Sequence, residues 1–136
     1  MGCPRHANQI YFHEEELCVT THAIQRFIER FAETHPRGEK LKKPLRTIRK
    51  LINISVKMEI DPKHRLRRLL NNQCVPAEYW IHPSGLRFVI VDDYQDERKV
   101  LITVEIAREL TEEAVFSLIR NAKIEKDNST ASRFKI

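Results

Sequence analysis

The apolar positions of this chain change their spacing partway along its length, and the change marks two classes of element. Ile24, Phe27, Ile28 and Phe31 follow the i, i+3, i+4, i+7 rule with polar residues between them, which predicts an amphipathic helix from His22 to about Glu33. Thr20 or Thr21 supplies its N-cap. "THPRGEKLKKP" interrupts the pattern with Pro36 and Gly38. Helical spacing resumes at Leu45, Ile48, Leu51 and Ile52, with Val56 as the next candidate in the stripe. Pro44 fits the first turn, where its missing N–H costs little. Asp61 and Pro62 then read as the cap and first residue of a short third helix, "DPKHRLRRLL", burying Leu66, Leu69 and Leu70.

Further along, the pattern turns extended. "AEYWIH", "LRFVIVDD" and "KVLITVEI" are rich in aromatic and β-branched residues and are separated by "PSG" and "YQDER", which predicts a three-strand antiparallel meander. A short strand near Leu17 to Val19 precedes the first helix. Alternation separates Tyr79, Ile81, Leu86, Phe88, Ile90, Leu101 and Thr103 from Trp80, His82, Arg87, Val89, Val91, Val100, Ile102 and Val104, without deciding which set is buried. Thr111 opens a last helix with Glu112 and Glu113 at its positive end and Val115, Leu118, Ile119 and Ala122 along one side. The expected class is α+β: N-terminal helices packed on an antiparallel three- to four-stranded sheet, closed by a C-terminal helix. A single domain over residues 1–126 includes a basic helical insertion at about 37–70, and a flexible polar tail occupies 127–136.

Composition narrows the setting. A chain of 136 residues suits one core, and no apolar run approaches the roughly 20 residues of a membrane span. The opening "MGCPRHANQIYFHEEE" lacks the apolar stretch of a secretory signal, so a soluble, cytoplasmic protein is expected. Cys3, Cys18 and Cys74 are odd in number and scattered, which argues against a disulfide framework. The six histidines form no HxxxH pair and the cysteines no CxxC, so neither a metal site nor a cofactor is expected.

Charge distribution adds a candidate surface. Residues 37–68 hold twelve lysines and arginines against three acids, a local charge of +9, whereas the remainder sums to −4. A field of that kind attracts a phosphate backbone, because Lys and Arg displace its condensed counterions. In the first helix, His22 and Arg26 lie opposite the apolar stripe with Glu29 and Glu33, and Arg30 lies at the margin. Histidine can shuttle a proton near neutral pH and arginine grips phosphate oxygens, so the pair suits phosphodiester chemistry; the same residues equally suit a solvated face with surface ion pairs.

The run "VTTHAIQRFIERF", with the later strand hairpin and the strand "VLITV", resembles a family of small phage and mobile-element proteins of unknown function. That family is similar to the barnase, EndoU, colicin-nuclease and RelE ribonuclease superfamily. Its members share a helix carrying "HA..R...R", a sheet packed on it, and a Thr or Ser in a terminal strand. The resemblance assigns these positions to His22, Arg26, Arg30 and Thr103, while residues 37–74 depart from the family's shorter connection. It implies a metal-independent endoribonuclease of toxin-like or mobile-element type. His22 or His82 would take the proton of a ribose 2′-OH, which attacks phosphorus. Arg26, Arg30 or Arg87 would stabilise the phosphorane, and Thr103 would bond a phosphate oxygen. The basic segment would hold the RNA through Arg46, Arg49, Lys50, Lys57, Lys63, Arg65, Arg67 and Arg68, with Tyr79 or Trp80 stacking on a base.

The competing expectation is a protein without catalysis, whose basic segment binds nucleic acid or an acidic protein partner such as an antitoxin. Geometry separates the two. The catalytic reading requires His22 and Arg26 to line a concave surface with Arg87 and Thr103.

Overall fold

The computed structural model describes residues 8–35, 41–71, 76–93 and 98–134, the side chains of 64, 68–71 and 125–134 excepted. Its elements in chain order are β1 (Gln9–Phe12), β2 (Glu15–Val19), α1 (Thr21–Thr34), α2 (Pro44–Asn53) and β3 (Val56–Met58). There follow α3 (Pro62–Asn71), β4 (Ala77–Ile81), β5 (Leu86–Asp93), β6 (Arg98–Ile106) and α4 (Glu112–Phe134).

The helices begin where capping chemistry places them. Thr20 caps α1: its Oγ1 accepts from the Ala23 N–H at 3.0 Å and lies 3.2 Å from the Leu101 carbonyl oxygen, to which it can donate, so the helix start is fixed to β6. Ala23, Phe27 and Phe31 form the buried face of α1. Ile28, expected in that face, remains 43% exposed, because the small Ala23 takes the position nearest the sheet and rotates the stripe away from it. Pro44 opens α2, which buries Ile48 and Ile52. Thr111 caps α4 by accepting from the Ala114 N–H at 3.1 Å, and the helix continues to Phe134 through the segment expected to fray.

The class is α+β, as the patterning indicates, but the sheet is larger and mixed. Six strands run in the order β1-β2-β6-β5-β4-β3. The expected antiparallel meander is β4, β5 and β6; β2 joins β6 in parallel through Leu17↔Lys99 to Val19↔Leu101. The two edge strands are short, four residues in β1 and three in β3, too few for an alternating pattern to stand out. Val56 belongs to β3, where it pairs with Ile81, and not to the α2 stripe.

Both sheet faces are covered. Leu86, Phe88, Ile90, Leu101 and Val104 pack with Ala23, Phe27 and Phe31 of α1 and Ile48 and Ile52 of α2. On the opposite face Met58, Tyr79, Ile81 and Val89 pack against Val115 of α4. The alternation of β4 is thus out of phase with the grouping read from sequence: Tyr79 pairs with Val89, and Trp80 with Phe88. A bulge makes Ile102 an extra residue in β6, between the Val89↔Thr103 and Ile90↔Leu101 pairs. Thr103 therefore shares the α4 face with Val89.

The sheet is strongly coiled. Strands four places apart in a flat sheet lie about 19 Å apart, yet the Phe12 and Trp80 rings, from β1 and β4, meet edge to face at 4.8 Å. The tip of the β1–β2 hairpin thus folds over the α1 face, with His13 at φ +48° and Glu14 at φ +70° turning it. The free edge of β1 is covered by α2: Asn53 Nδ2 donates to the Tyr11 carbonyl at 2.9 Å, and Asn53 Oδ1 accepts from the His13 N–H at 3.1 Å. Cys18, buried in β2, is disulfide-bonded, which the cysteine count argued against; the other two cysteines lie outside the described residues. No helix among the described residues is long and apolar enough to cross a membrane.

Candidate nucleic-acid interface

The sheet separates the residues grouped as a catalytic constellation. α1 lies against one face, with His22 exposed on its outer side. Arg26 pairs with Glu29 at 3.0 Å and Arg30 with Glu33 at 3.2 Å. Arg108 closes on the same Glu33 at 2.6 Å, and its hydrogen bond holds the Glu33 carboxyl below the usual carboxylate range. Exposed pairs of this kind contribute little.

Arg87 and Thr103 belong to the other face. Arg87 is 1% exposed, with its Nε bonded to Glu105 Oε1 at 2.7 Å, its Nη1 to Glu109, and its guanidinium 5.9 Å from the centroid of the Tyr79 ring. Glu105 is its cross-strand partner in β6, so pairing register alone brings the two charges together. A guanidinium paired with two carboxylates and buried to this extent cannot reach a phosphorane. The cleft that was to join His22 and Arg26 to Arg87 and Thr103 is not formed. Tyr79, 4% exposed beneath Arg87, has no face for a base.

His82 is also structural. In the β4–β5 turn its Nδ1 accepts from the Ser84 N–H at 3.0 Å, which places the ring proton on Nε2. Gly85, at φ +93°, completes the turn by donating to the His82 carbonyl at 2.9 Å. Burial, with nearby His35 adding to it, pushes the His82 imidazole down to about 4, so near neutral pH it is already uncharged but lies within the fold.

The basic segment divides into paired and unpaired cations. Lys57 lies 3.9 Å from Glu78, which also binds Lys99 at 3.2 Å, and Arg65 pairs with Glu59 at 2.5 Å. The Glu78 carboxyl lies below its ordinary value: burial opposes this, but hydrogen bonds from Trp80 and Lys99 and the charges of Lys99 and Lys57 outweigh it. Lys63 and Arg67 are exposed on α3, whose Leu66 is itself 58% exposed and not in the expected core; the side chains of Arg68, Leu69 and Leu70 lie outside the described residues.

α2 is different. Arg46, Arg49 and Lys50 are exposed and, with Asn53, fall within an arc of about 100° on the side away from Ile48. Exposed Lys42 and Lys43 precede them at the helix start, where no acidic residue occupies the first turn. Like charges at these spacings and at the positive end of a helix oppose its formation, and an anion on this face relieves them. Arg46, Arg49 and Lys50 belong to the basic surface that charge along the chain indicates, whereas the bonds of Asn53 to β1 are long-range and leave no local signal in the sequence.

Among the described residues, no three His, Cys, Asp or Glu side chains gather as metal ligands. No family model, curated protein or solved structure matches the chain.

Proposed function

We propose that the protein binds nucleic acid through the outer face of α2, with Arg46, Arg49 and Lys50 as its centre and Lys42 and Lys43 extending it. One observation carries this reading. These five cations gather on one ten-residue helix and its start without a carboxylate partner among the described residues. Lys63 and Arg67 of α3 and Arg120 and Lys123 of α4 are also unpaired among the described residues but come only two to a helix, and Arg26, Arg30, Lys57, Arg65, Arg87, Lys99 and Arg108 are each paired. The field of α2 is free to release counterions from phosphates. α2 is braced by Ile48 and Ile52 in the core and by Asn53 at the β1 edge, so the charges sit on a fixed scaffold.

The reading assigns no bond-breaking step, because its residues carry no general base. The test is fluorescence anisotropy of a labelled RNA oligonucleotide with the full chain. Arg49→Glu should weaken binding by more than tenfold at low salt, while His22→Ala and Arg26→Ala should leave it within about twofold of wild type. Absence of binding by the wild-type chain at low salt would sink the reading and favour an acidic protein partner for this face.

A further inference from the structure

The cationic stripe of α2 leads to an exposed aromatic residue. Asn53 lies on that stripe, one helical turn beyond Arg49, and its Nδ2 donates both to the Arg49 carbonyl at 2.7 Å and to the Tyr11 carbonyl at 2.9 Å. Tyr11 is therefore tied to the end of the basic face. Its neighbours Ile10 and Phe12 point into the core, and Tyr11 points outward with 60% of its surface exposed. His13, held by the same Asn53 through its N–H, is exposed as well, and its ring lies 4.5 Å from Phe12 and 5.3 Å from Trp80. A row of unpaired cations thus ends at the β1 edge that carries the exposed Tyr11 and His13.

Resting on the binding role proposed for α2, we infer that this surface takes single-stranded nucleic acid, with the backbone phosphates along α2 and an unpaired base stacked on Tyr11. A duplex keeps its bases stacked on one another and offers an exposed ring nothing to stack on, whereas a single strand offers every base face. The acids nearby fix the direction. Glu16 is the cross-strand partner of Tyr11, and exposed Glu14 and Glu15 follow at the hairpin tip, so phosphates are excluded from the hairpin and held on the α2 side. The Glu16 carboxylate suits the amino edge of a base, where it accepts and does not repel. Tyr79 and Trp80, the aromatic residues proposed from sequence, are buried and half-buried respectively, whereas Tyr11 is free.

Anisotropy titrations with a labelled, unstructured RNA of about 20 nucleotides and with a duplex of the same length test this. The wild-type chain should prefer the single strand, and Tyr11→Ala and Tyr11→Leu should each weaken it about 5- to 100-fold without changing the slope of affinity against salt. Tyr11→Phe, which keeps the ring, should bind as wild type. Since Tyr11 is largely exposed, the Leu variant preserves apolar cover over β1 should the Ala variant fold poorly. Tyr11→Leu binding as well as wild type, or equal affinity for the duplex, overturns the stacking inference while leaving the α2 interface standing if Arg49→Glu still weakens binding. If Arg49→Glu also binds as wild type, the interface itself is wrong and the inference falls with it.

Discussion

Replacing Arg87 with methionine tests most sharply whether that residue is structural. Arg87 has 1% of its side chain exposed, Glu105 18% and Glu109 49%. Arg87→Met nearly preserves volume but leaves Glu105 largely buried beside a neutral side chain, while Glu109 can turn to water. Breaking a buried pair from one side costs about 3–5 kcal/mol, and the freedom of Glu109 places this case near the lower value. For a domain of this size each kcal/mol shifts the melting temperature by about 3–4 °C, so Tm should fall by about 10 °C. Circular dichroism melts at neutral pH measure this, with urea unfolding as a second determination. Arg87→Met/Glu105→Leu should recover more than half of the loss, because it removes the carboxylate left buried. A Tm within about 2 °C of wild type, together with loss of RNA binding or cleavage, would show that Arg87 serves function and that the buried-pair argument is wrong.

Two further outcomes follow from the same structure. The His82 pKa is lowered from 6.5 to about 4, so the fold favours the neutral ring; the stability this contributes is complete above pH 6.5 and is lost as pH falls toward about 4. His82→Asn keeps an acceptor for the Ser84 N–H but cannot titrate, so Tm measured between pH 6.5 and 4.5 should fall less steeply than in wild type; an unchanged slope would contradict the assignment. Asn53→Ala removes the bonds to Tyr11, His13 and Arg49 at the β1 edge and should destabilise the protein by about 1–3 kcal/mol in urea, and it should also weaken single-strand binding. Wild-type stability in this variant would show that the edge is not held by Asn53.

What could be read from the sequence follows from how far each signal extends. α1, α2 and α3 begin within a residue or two of their predicted starts, because caps and helical spacing are local. The antiparallel meander β4–β5–β6 was equally legible, since Gly85 and the β-branched runs lie within the segments they shape. Neither edge strand was predicted: β1 and β3 owe their existence to pairing with β2 and β4, a tertiary effect on segments too short to show a period. The parallel β2–β6 pair joins residues about eighty positions apart and has no local trace.

The candidate site divides in the same way. Counting separated the polar side of α1 from its core side, and His22 and Arg26 do lie opposite Phe27 and Phe31. It could not show that Arg87 points to the other side of the sheet, because that depends on the cross-strand register Arg87↔Glu105 and not on the composition of β5. The charge excess over residues 37–68 was visible in full. Which of its cations are neutralised depends on Glu59 and Glu78, one of them outside the segment: among the described residues Lys57 and Arg65 are paired, whereas the cations of α2, with Lys63 and Arg67 of α3, are not.

The salt dependence of RNA affinity tests the central claim most directly. Each phosphate contact contributes about 0.7 to the slope of log affinity against log salt for a single strand. Arg46→Ala/Arg49→Ala/Lys50→Ala should therefore reduce the wild-type slope by about 2, whereas neutralising the paired Arg26 and Arg30 should leave it unchanged. An α2 variant with the wild-type slope, or an equal loss from the α1 variant, would contradict the assignment of the interface to α2.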